Sequence, residues 1–477
     1  MAQRSSRGGQ GGPHDLGLTA ADVAEATGGS VVSGDPASSI GGFSIDSRHL
    51  APGDLFFAIA GPRFDGHDFV TSVLDAGAAG VVVRRPPSRP PARGFVVIVD
   101  DTVRALQALA RSIRRQSAAA VVAVTGSIGK TTTKEAAARM LAARYRVFRT
   151  QGNLNNHIGL PLSLLELRRR PDIAVVELGM NHAGEIRTLV GIADPDVRVW
   201  TNVAEVHTEF FGSLDAVADA KAEILEGATE KTVVVANADD PLIMTRLRVF
   251  PGRVMTFGFD PRADVTAGAL EERGLDGSSG VLRTPAGEAA IRIPLLGRGN
   301  VANVLAAASV ATHFEVPLPA IVEQAAALTP ASHRGEVLRL AGGVTVVDDS
   351  YNSNPRALRG VLEVIGREDR TARRIAVLGE MLELGVQSRA LHESCGRVAA
   401  AAKLRYLVTV GGEPVRVLGE SAVAAGMNAA DVRHVNTSDK AADTVMDLVR
   451  PGDLVLVKGS RGIRTDVVVD RLKAEFA

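Results

Sequence analysis

Residues 118–141 place an apolar run, a glycine-bearing turn and an alanine-rich stretch in direct succession. The run from Ala118 to Val124 suits a buried strand, and the stretch after the turn suits a helix. Between them lies Thr125-Gly126-Ser127-Ile128-Gly129-Lys130-Thr131-Thr132-Thr133. Such a strand–turn–helix aims backbone N–H groups and the positive end of a helix dipole at one point, which suits a phosphate. Lys130 would reach terminal phosphates and the Thr131 hydroxyl would hold Mg²⁺. Only Ser127 and Ile128 separate the two glycines, fewer than in the usual phosphate loop. The segment therefore reads as a shortened ATP loop, with Gly126, Ser127, Ile128, Gly129, Lys130, Thr131 and Thr132 around the nucleotide. The strand–helix context disfavours the plainer reading, a glycine turn capped by threonines.

The chain has 477 residues, enough for roughly three domains of about 150. Residues 1–15 form a Gly/Ser/Arg-rich tail with no apolar core, expected to be disordered and unlike a secretory signal. Residues 16–117 read as a smaller α/β domain with strands at Gly80–Val83 and Phe95–Val99. Residues 118–329 alternate strands and helices. Ile173–Glu177, Val197–Thr201 and Thr232–Ala236 are near-continuous β-branched runs, the mark of a parallel sheet buried on both faces. Within this region, Ala263–Ile293 looks like a small antiparallel excursion. After Thr329-Pro330-Ala331, residues 330–477 repeat the βα pattern without a phosphate loop. The expected fold class is α/β in three domains: a central P-loop-type doubly wound parallel sheet, a smaller N-terminal α/β domain and a Rossmann-like C-terminal domain.

Several polar residues fall at the carboxyl ends of these strands, where open α/β sheets bind ligands. Glu177 ends one strand and is placed to hold Mg²⁺; a capping or solvated acid is the alternative. His207 follows another strand, and Lys221 lies in the helical run Asp215–Glu226; by themselves these two read more readily as surface or core residues than as functional ones. Asn300 fits a helix N-cap, whereas Asn303, one turn on, could read an adenine edge. His333-Arg334-Gly335 opens the third domain, and 348–355 (Asp-Asp-Ser-Tyr-Asn-Ser-Asn-Pro) ends a strand in a polar wall or a set of good turn formers. Lys458-Gly459-Ser460-Arg461-Gly462 resembles a small anion-binding turn.

Formal net charge is zero, which argues against nucleic acid or an anionic membrane surface as the main partner. No stretch approaches the length of a membrane span. The single cysteine, Cys395, excludes an internal disulfide framework and fits a reducing compartment, so a soluble cytoplasmic protein is expected. The expected state is a monomer, which no sequence feature fixes.

Taken in order, the loop at 125–132, Glu-Leu-Gly-Met-Asn at 177–181, the His207/Lys221 pair, Gly-Arg-Gly-Asn-Val-Ala-Asn at 297–303 and the segment 348–355 resemble the Mur ligases of peptidoglycan synthesis. The resemblance covers roughly residues 16–475. The segments 44–48, 64–69 and 150–161 look like those of the members that add D-alanyl-D-alanine, and 63–69 and 150–161 argue against members that add a single amino acid. The resemblance implies ATP-dependent amide formation between UDP-N-acetylmuramoyl-tripeptide and D-alanyl-D-alanine. It implies catalytic roles for Lys130, Glu177, His207 and Lys221, with Lys221 carrying a CO₂-derived carbamate. Two Mg²⁺ ions would be held by Thr131, Glu177, His207 and that carbamate. Asn300 and Asn303 would lie near adenine, Asp349 on the ribose and Arg334 near the ATP phosphates. Asp46, Ser47, Arg48, Asn155 and Asn156 would contact the UDP-sugar-peptide. Asn352, Asn354, Lys458 and Ser460 would face the incoming dipeptide or the acyl phosphate.

Overall fold

A computed structural model describes residues 16–477 apart from Ser88, Pro90, His207 and Ala372, and only the backbone of Thr208. The tail at 1–15 lies outside the described residues. Three sheets organise the chain. The first has five strands: β1 (Ser30–Ser33), β2 (Gly42–Ser44), β3 (Asp54–Phe57), β4 (Gly80–Val83) and β5 (Phe95–Ile98). They run β1-β5-β4-β3-β2, parallel except for β1. Val81, Val82, Val83, Phe95, Val96 and Val97 are fully buried, which is why these runs carry no polar alternation.

The second sheet has nine strands: β6 (Ala120–Thr125), β7 (Val147–Arg149), β8 (Ile173–Glu177), β9 (Val197–Trp200), β10 (Val233–Asn237), β11 (Arg253–Gly258), β12 (Val265–Glu272), β13 (Ser278–Thr284) and β14 (Gly287–Ile293). Their order is β14-β13-β12-β11-β10-β9-β6-β8-β7. The expected antiparallel excursion is present as β12–β13–β14. Its first strand starts in parallel register with β11, Phe257 opposite Val265, so the meander extends the main sheet.

The third sheet comprises β15 (Glu336–Arg339), β16 (Thr345–Asp349), β17 (Arg374–Gly379), β18 (Tyr406–Val410), β19 (Val432–Val435) and β20 (Leu454–Lys458). The order is β15-β16-β20-β17-β18-β19, parallel from β16 to β19, with β15 antiparallel at the edge. Apolar clusters cover both faces, and Cys395 is fully buried in one of them, where burial pushes its thiol up to about 11. Among the described residues, no helix is long and apolar enough to cross a membrane.

Contacts divide the chain into two compact units, with one boundary inside β6 between Ala123 and Val124. One unit holds the residues up to Ala123, Tyr145–Met180 and Gly184–Asp196. In it, Asp101 caps the helix Thr102–Gln116 by accepting from the N–H groups of Val103 and Arg104 at 2.8 and 2.9 Å. Arg114, near that helix's end, donates to Ala193 O at 2.8 Å and to Asp194 O at 2.7 Å, and pairs with Asp196 at 2.9 Å.

The other unit holds Val124–Arg144, Asn181–Ala183 and Val197–Ala477. Here Leu275, from the turn before β13, lies in the same apolar cluster as Leu358, Leu362 and Leu378. Around it Arg367 pairs with Glu272, Arg370 pairs with Asp276 at 2.6 Å, and Glu368 accepts from the Leu275 N–H at 3.3 Å. The meander is thereby fastened to the third sheet's layer by an inserted leucine and these polar links, with a looser pair from Asp276 to Arg339 at 3.8 Å.

Candidate active site

The phosphate loop leaves β6 at Thr125 and enters the helix Lys130–Leu141 through Gly129. Glycine is required at both ends. Gly126 and Gly129 have φ of 148° and 85°, and a Cβ would stand 1.9 Å from Thr201 Oγ1 at the first and 2.0 Å from Asn303 Oδ1 at the second. The loop between them is held by its neighbours after β9. Asn202 O accepts from the Ser127 N–H at 3.0 Å. The Asn202 amide grips the Ile128 peptide from both sides, accepting from its N–H at 2.9 Å and donating to its carbonyl at 2.9 Å. Thr201 Oγ1 adds a bond to the same carbonyl at 2.8 Å, and the Ala204 N–H donates to Ser127 Oγ at 2.9 Å. Lys130 Nζ folds back to Gly126 O at 2.8 Å.

Thr201 and Asn202 hold the loop in place, and sequence reading did not single them out. Their only signal was position, directly after a buried strand. Asn303, buried at 6% exposure, rests against Gly129 and donates to Asn300 Oδ1 at 3.1 Å. Asn300 is not the N-cap expected for its helix. The helix starts at Gly297 with Leu296 in the cap position, and Asn300 instead donates back to Leu296 O at 2.9 Å.

In the same unit Lys221 ends the helix Leu214–Ala222 at 2% exposure. No carboxylate or other hydrogen-bonding partner meets its Nζ among the described residues. Burial first, and then the charge of Lys130, holds its ammonium well below the ordinary lysine range. His207 lies outside the described residues. Among the described residues no three His, Cys, Asp or Glu side chains cluster as a metal site.

In the other unit Glu177 closes β8 at 3% exposure and accepts from Asn155 Nδ2 at 2.8 Å. Asn156 Oδ1 accepts from the Gly159 N–H at 2.8 Å and so anchors the helix Gly159–Leu164. The segment after β2 is more open. Asp46 takes Arg48 in a fork, with Nε at 2.9 Å and Nη2 at 2.7 Å, which holds its carboxyl well below the usual range. Arg48 is largely exposed, and Ser47 between them is half-buried.

Beside β16 and β20 the sequence-singled residues come together. Lys458 Nζ lies 2.6 Å from Asp349 Oδ2 and 2.9 Å from Asn352 O. Ser460 Oγ accepts from the Leu382 N–H at 3.0 Å. Asn354 is the N-cap of the helix Pro355–Gly366, accepting from the Ala357 N–H at 2.9 Å. His333, at φ 60°, is pinned by fully buried Asp348 at 2.8 Å, and Arg334 follows it over the Tyr351 ring.

This glycine-bearing loop, carried on a parallel sheet and followed by a second parallel-sheet domain, suits a nucleotide-using enzyme. Family models match in that order: "Mur ligase family, catalytic domain" over residues 39–114, "Mur ligase middle domain" over 124–311, and "Mur ligase, glutamate ligase domain" over 333–461. The chain belongs to the Mur ligase family. Among curated relatives it is similar to the UDP-N-acetylmuramoyl-tripeptide–D-alanyl-D-alanine ligase of Escherichia coli, at 36% identity over 90% of this chain and 93% of that protein. Among solved structures it is similar to MurF of Acinetobacter baumannii, with a TM-score of 0.86 and 32% identity over 97% of this chain and 100% of that one. It is also similar to MurF of Thermotoga maritima in complex with ADP, with a TM-score of 0.78 and 29% identity over 91% of this chain and 97% of that one.

Proposed function

We propose that this protein joins D-alanyl-D-alanine to UDP-N-acetylmuramoyl-tripeptide in an ATP-driven step of peptidoglycan synthesis. The observation that carries this reading is the loop at 126–131, clamped by Thr201, Asn202 and Asn303 so that the helix start at Lys130 faces one direction. The Ser127 and Ile128 N–H groups are taken up by Asn202. The phosphates would therefore be met by the first helical turn, Gly129 to Thr132, where the helix dipole is positive.

A carboxylate is a poor acylating agent. It would attack the γ-phosphorus and release ADP, leaving an acyl phosphate. The amine of the dipeptide would then attack the acyl carbon, phosphate would leave, and the amine would lose a proton to form the amide. Neither step needs a protein nucleophile. The chain's part is positioning and charge neutralisation, with Lys130 on the transferring phosphoryl group.

Magnesium, which the family implies, suits hard oxygen donors. Lys221 supports the fit: a buried ammonium with no anion beside it among the described residues is unfavourable, but the neutral amine favoured there is the form that adds CO₂. Across the two ions the family implies, the ligands would be the resulting carbamate, Thr131, His207 and the strand-end carboxylate Glu177. When bound, the ions neutralise charge on the phosphates. Asn303 and Asn300 would approach adenine while bracing Gly129, and Asp349 would reach the ribose. Asp46, Ser47, Arg48, Asn155 and Asn156 would bind the UDP-sugar-peptide. Asn352, Asn354, Lys458 and Ser460 would line the dipeptide's side.

The test is phosphate release with ATP, UDP-muramoyl-tripeptide and D-alanyl-D-alanine, each omitted in turn. Release should require all three. ATP hydrolysis indifferent to the dipeptide would overturn the reading.

A further inference from the structure

Two guanidinium groups share one aromatic ring at the carboxyl ends of neighbouring strands. The Arg334 carbon Cζ lies 3.9 Å from the Tyr351 ring centroid, and that of Arg461 lies 4.9 Å from it. Tyr351 follows β16 and Arg461 follows β20, strands paired in parallel with Asp349 opposite Lys458. Arginines elsewhere in this unit, such as Arg246 and Arg370, are matched to carboxylates. Neither Arg334 nor Arg461 has a hydrogen bond or ion pair for its guanidinium among the described residues. Stacking on a ring face attracts each cation but does not cancel the repulsion between them.

We propose that Arg334, Tyr351 and Arg461 form an oxyanion seat, and that Arg461 is a further substrate-holding residue of the ligase site. The inference rests on the ligase reading above and names a residue that reading leaves without a role. Both guanidiniums lie against one ring at the strands' carboxyl ends, and their forked N–H groups match planar or tetrahedral oxyanions. The seat is built rather than incidental. Arg334 hangs from His333, whose ring is fixed by Asp348, and the Tyr351 N–H donates to His333 O at 3.0 Å. Arg461 follows Ser460, buried at 4% exposure and tied to Glu380 O and the Leu382 N–H. Two oxyanions of the reaction fit: the terminal carboxylate of the dipeptide and the transferring phosphoryl group.

Steady-state kinetics of Arg461→Gln separate them. If the dipeptide carboxylate is the occupant, KM for D-alanyl-D-alanine rises at least tenfold, KM for ATP stays level, and D-alanyl-D-alaninamide no longer distinguishes the variant from the wild type. If the phosphoryl group is the occupant, kcat falls or KM for ATP rises at least tenfold, and inhibition by inorganic phosphate weakens by a similar factor. Arg461→Lys should recover only part of either effect. Tyr351→Leu should reproduce the loss, while Tyr351→Phe, which keeps the ring, should not. Values for Arg461→Gln and Tyr351→Leu within twofold of the wild type overturn the seat. A wild type that turns over no dipeptide overturns the ligase reading instead. Calorimetric binding of inorganic phosphate then still decides the seat: weaker binding by Arg461→Gln supports it, and unchanged binding rejects it.

Discussion

The phosphate-loop region and the C-terminal strand ends each bury a lysine, Lys221 at 2% exposure and Lys458 at 3%. Lys458 is neutralised in place by Asp349 and accepted by a backbone carbonyl. Lys221 meets no such anion among the described residues, and both its burial and Lys130 push it towards the neutral amine. One residue type at one depth is thus a fixed cation in the first case and a potential nucleophile in the second. Depth alone does not decide the chemistry of a buried lysine; the charge beside it does.

Lys130 should give the largest effect, because in the proposed reading it meets phosphate, and its charge depresses Lys221. Lys130→Ala is expected to lower kcat/KM by a factor of about 10³ or more, with a thermal midpoint near that of the wild type. Near-normal turnover would remove Lys130 from the site. Lys221→Ala should also be inactive, but partly restored by added short-chain carboxylic acids standing in for a carbamate. Failure of rescue at any concentration would count against the carbamate. The amine also leaves a signature in stability. A base whose folded pKa is depressed costs stability below that pKa, and the cost fades as pH rises to the ordinary lysine value near about 10.4. In CO₂-free buffer Lys221→Met should therefore raise the melting temperature at neutral pH, with a gain that shrinks towards pH 10.

Lys458→Met tests the other side. Removing the cation leaves Asp349 facing a buried gap, at a cost of about 1–3 kcal/mol. Adding Asp349→Asn should return part of that loss, as coupled partners do in a double-mutant cycle. Additive losses in denaturant titrations would mean the pair is incidental.

The phosphate loop was legible in sequence because its chemistry is local: glycines, a lysine and a threonine between a strand and a helix. The parallel sheets were legible because strands buried on both faces leave β-branched runs. What escaped has physical reasons too. β19 carries Arg433 and His434 at an exposed edge, so no apolar run marks it. The clamp by Thr201 and Asn202 is a contact across about 70 residues, which no spacing rule encodes. Asn300 looked like a cap because caps favour asparagine, yet the helix begins a turn earlier at a glycine of φ 77°.

A third buried charge sharpens the contrast between the lysines, with the smallest expected effect. Glu368 is more fully satisfied than Lys458. Arg370 forks onto it with Nε and Nη2 both at 2.7 Å, and the N–H groups of Arg370 and Leu275 add to the pair. These bonds, the Arg370 side chain first, bring its carboxyl down to about 2. Because the folded value lies below the unfolded one, near about 4.3, this carboxylate stabilises the fold above that unfolded value. The contribution is lost as pH falls through the folded value. Glu368→Gln keeps the shape and one acceptor but not the charge. It should lower the melting temperature modestly at pH 7, and flatten the part of the wild-type decline that lies between about pH 4 and pH 2. Melting curves over that range read the difference directly. An acid profile parallel to the wild type would show that the link between the meander and the C-terminal layer rests on Leu275, and that the charge is dispensable.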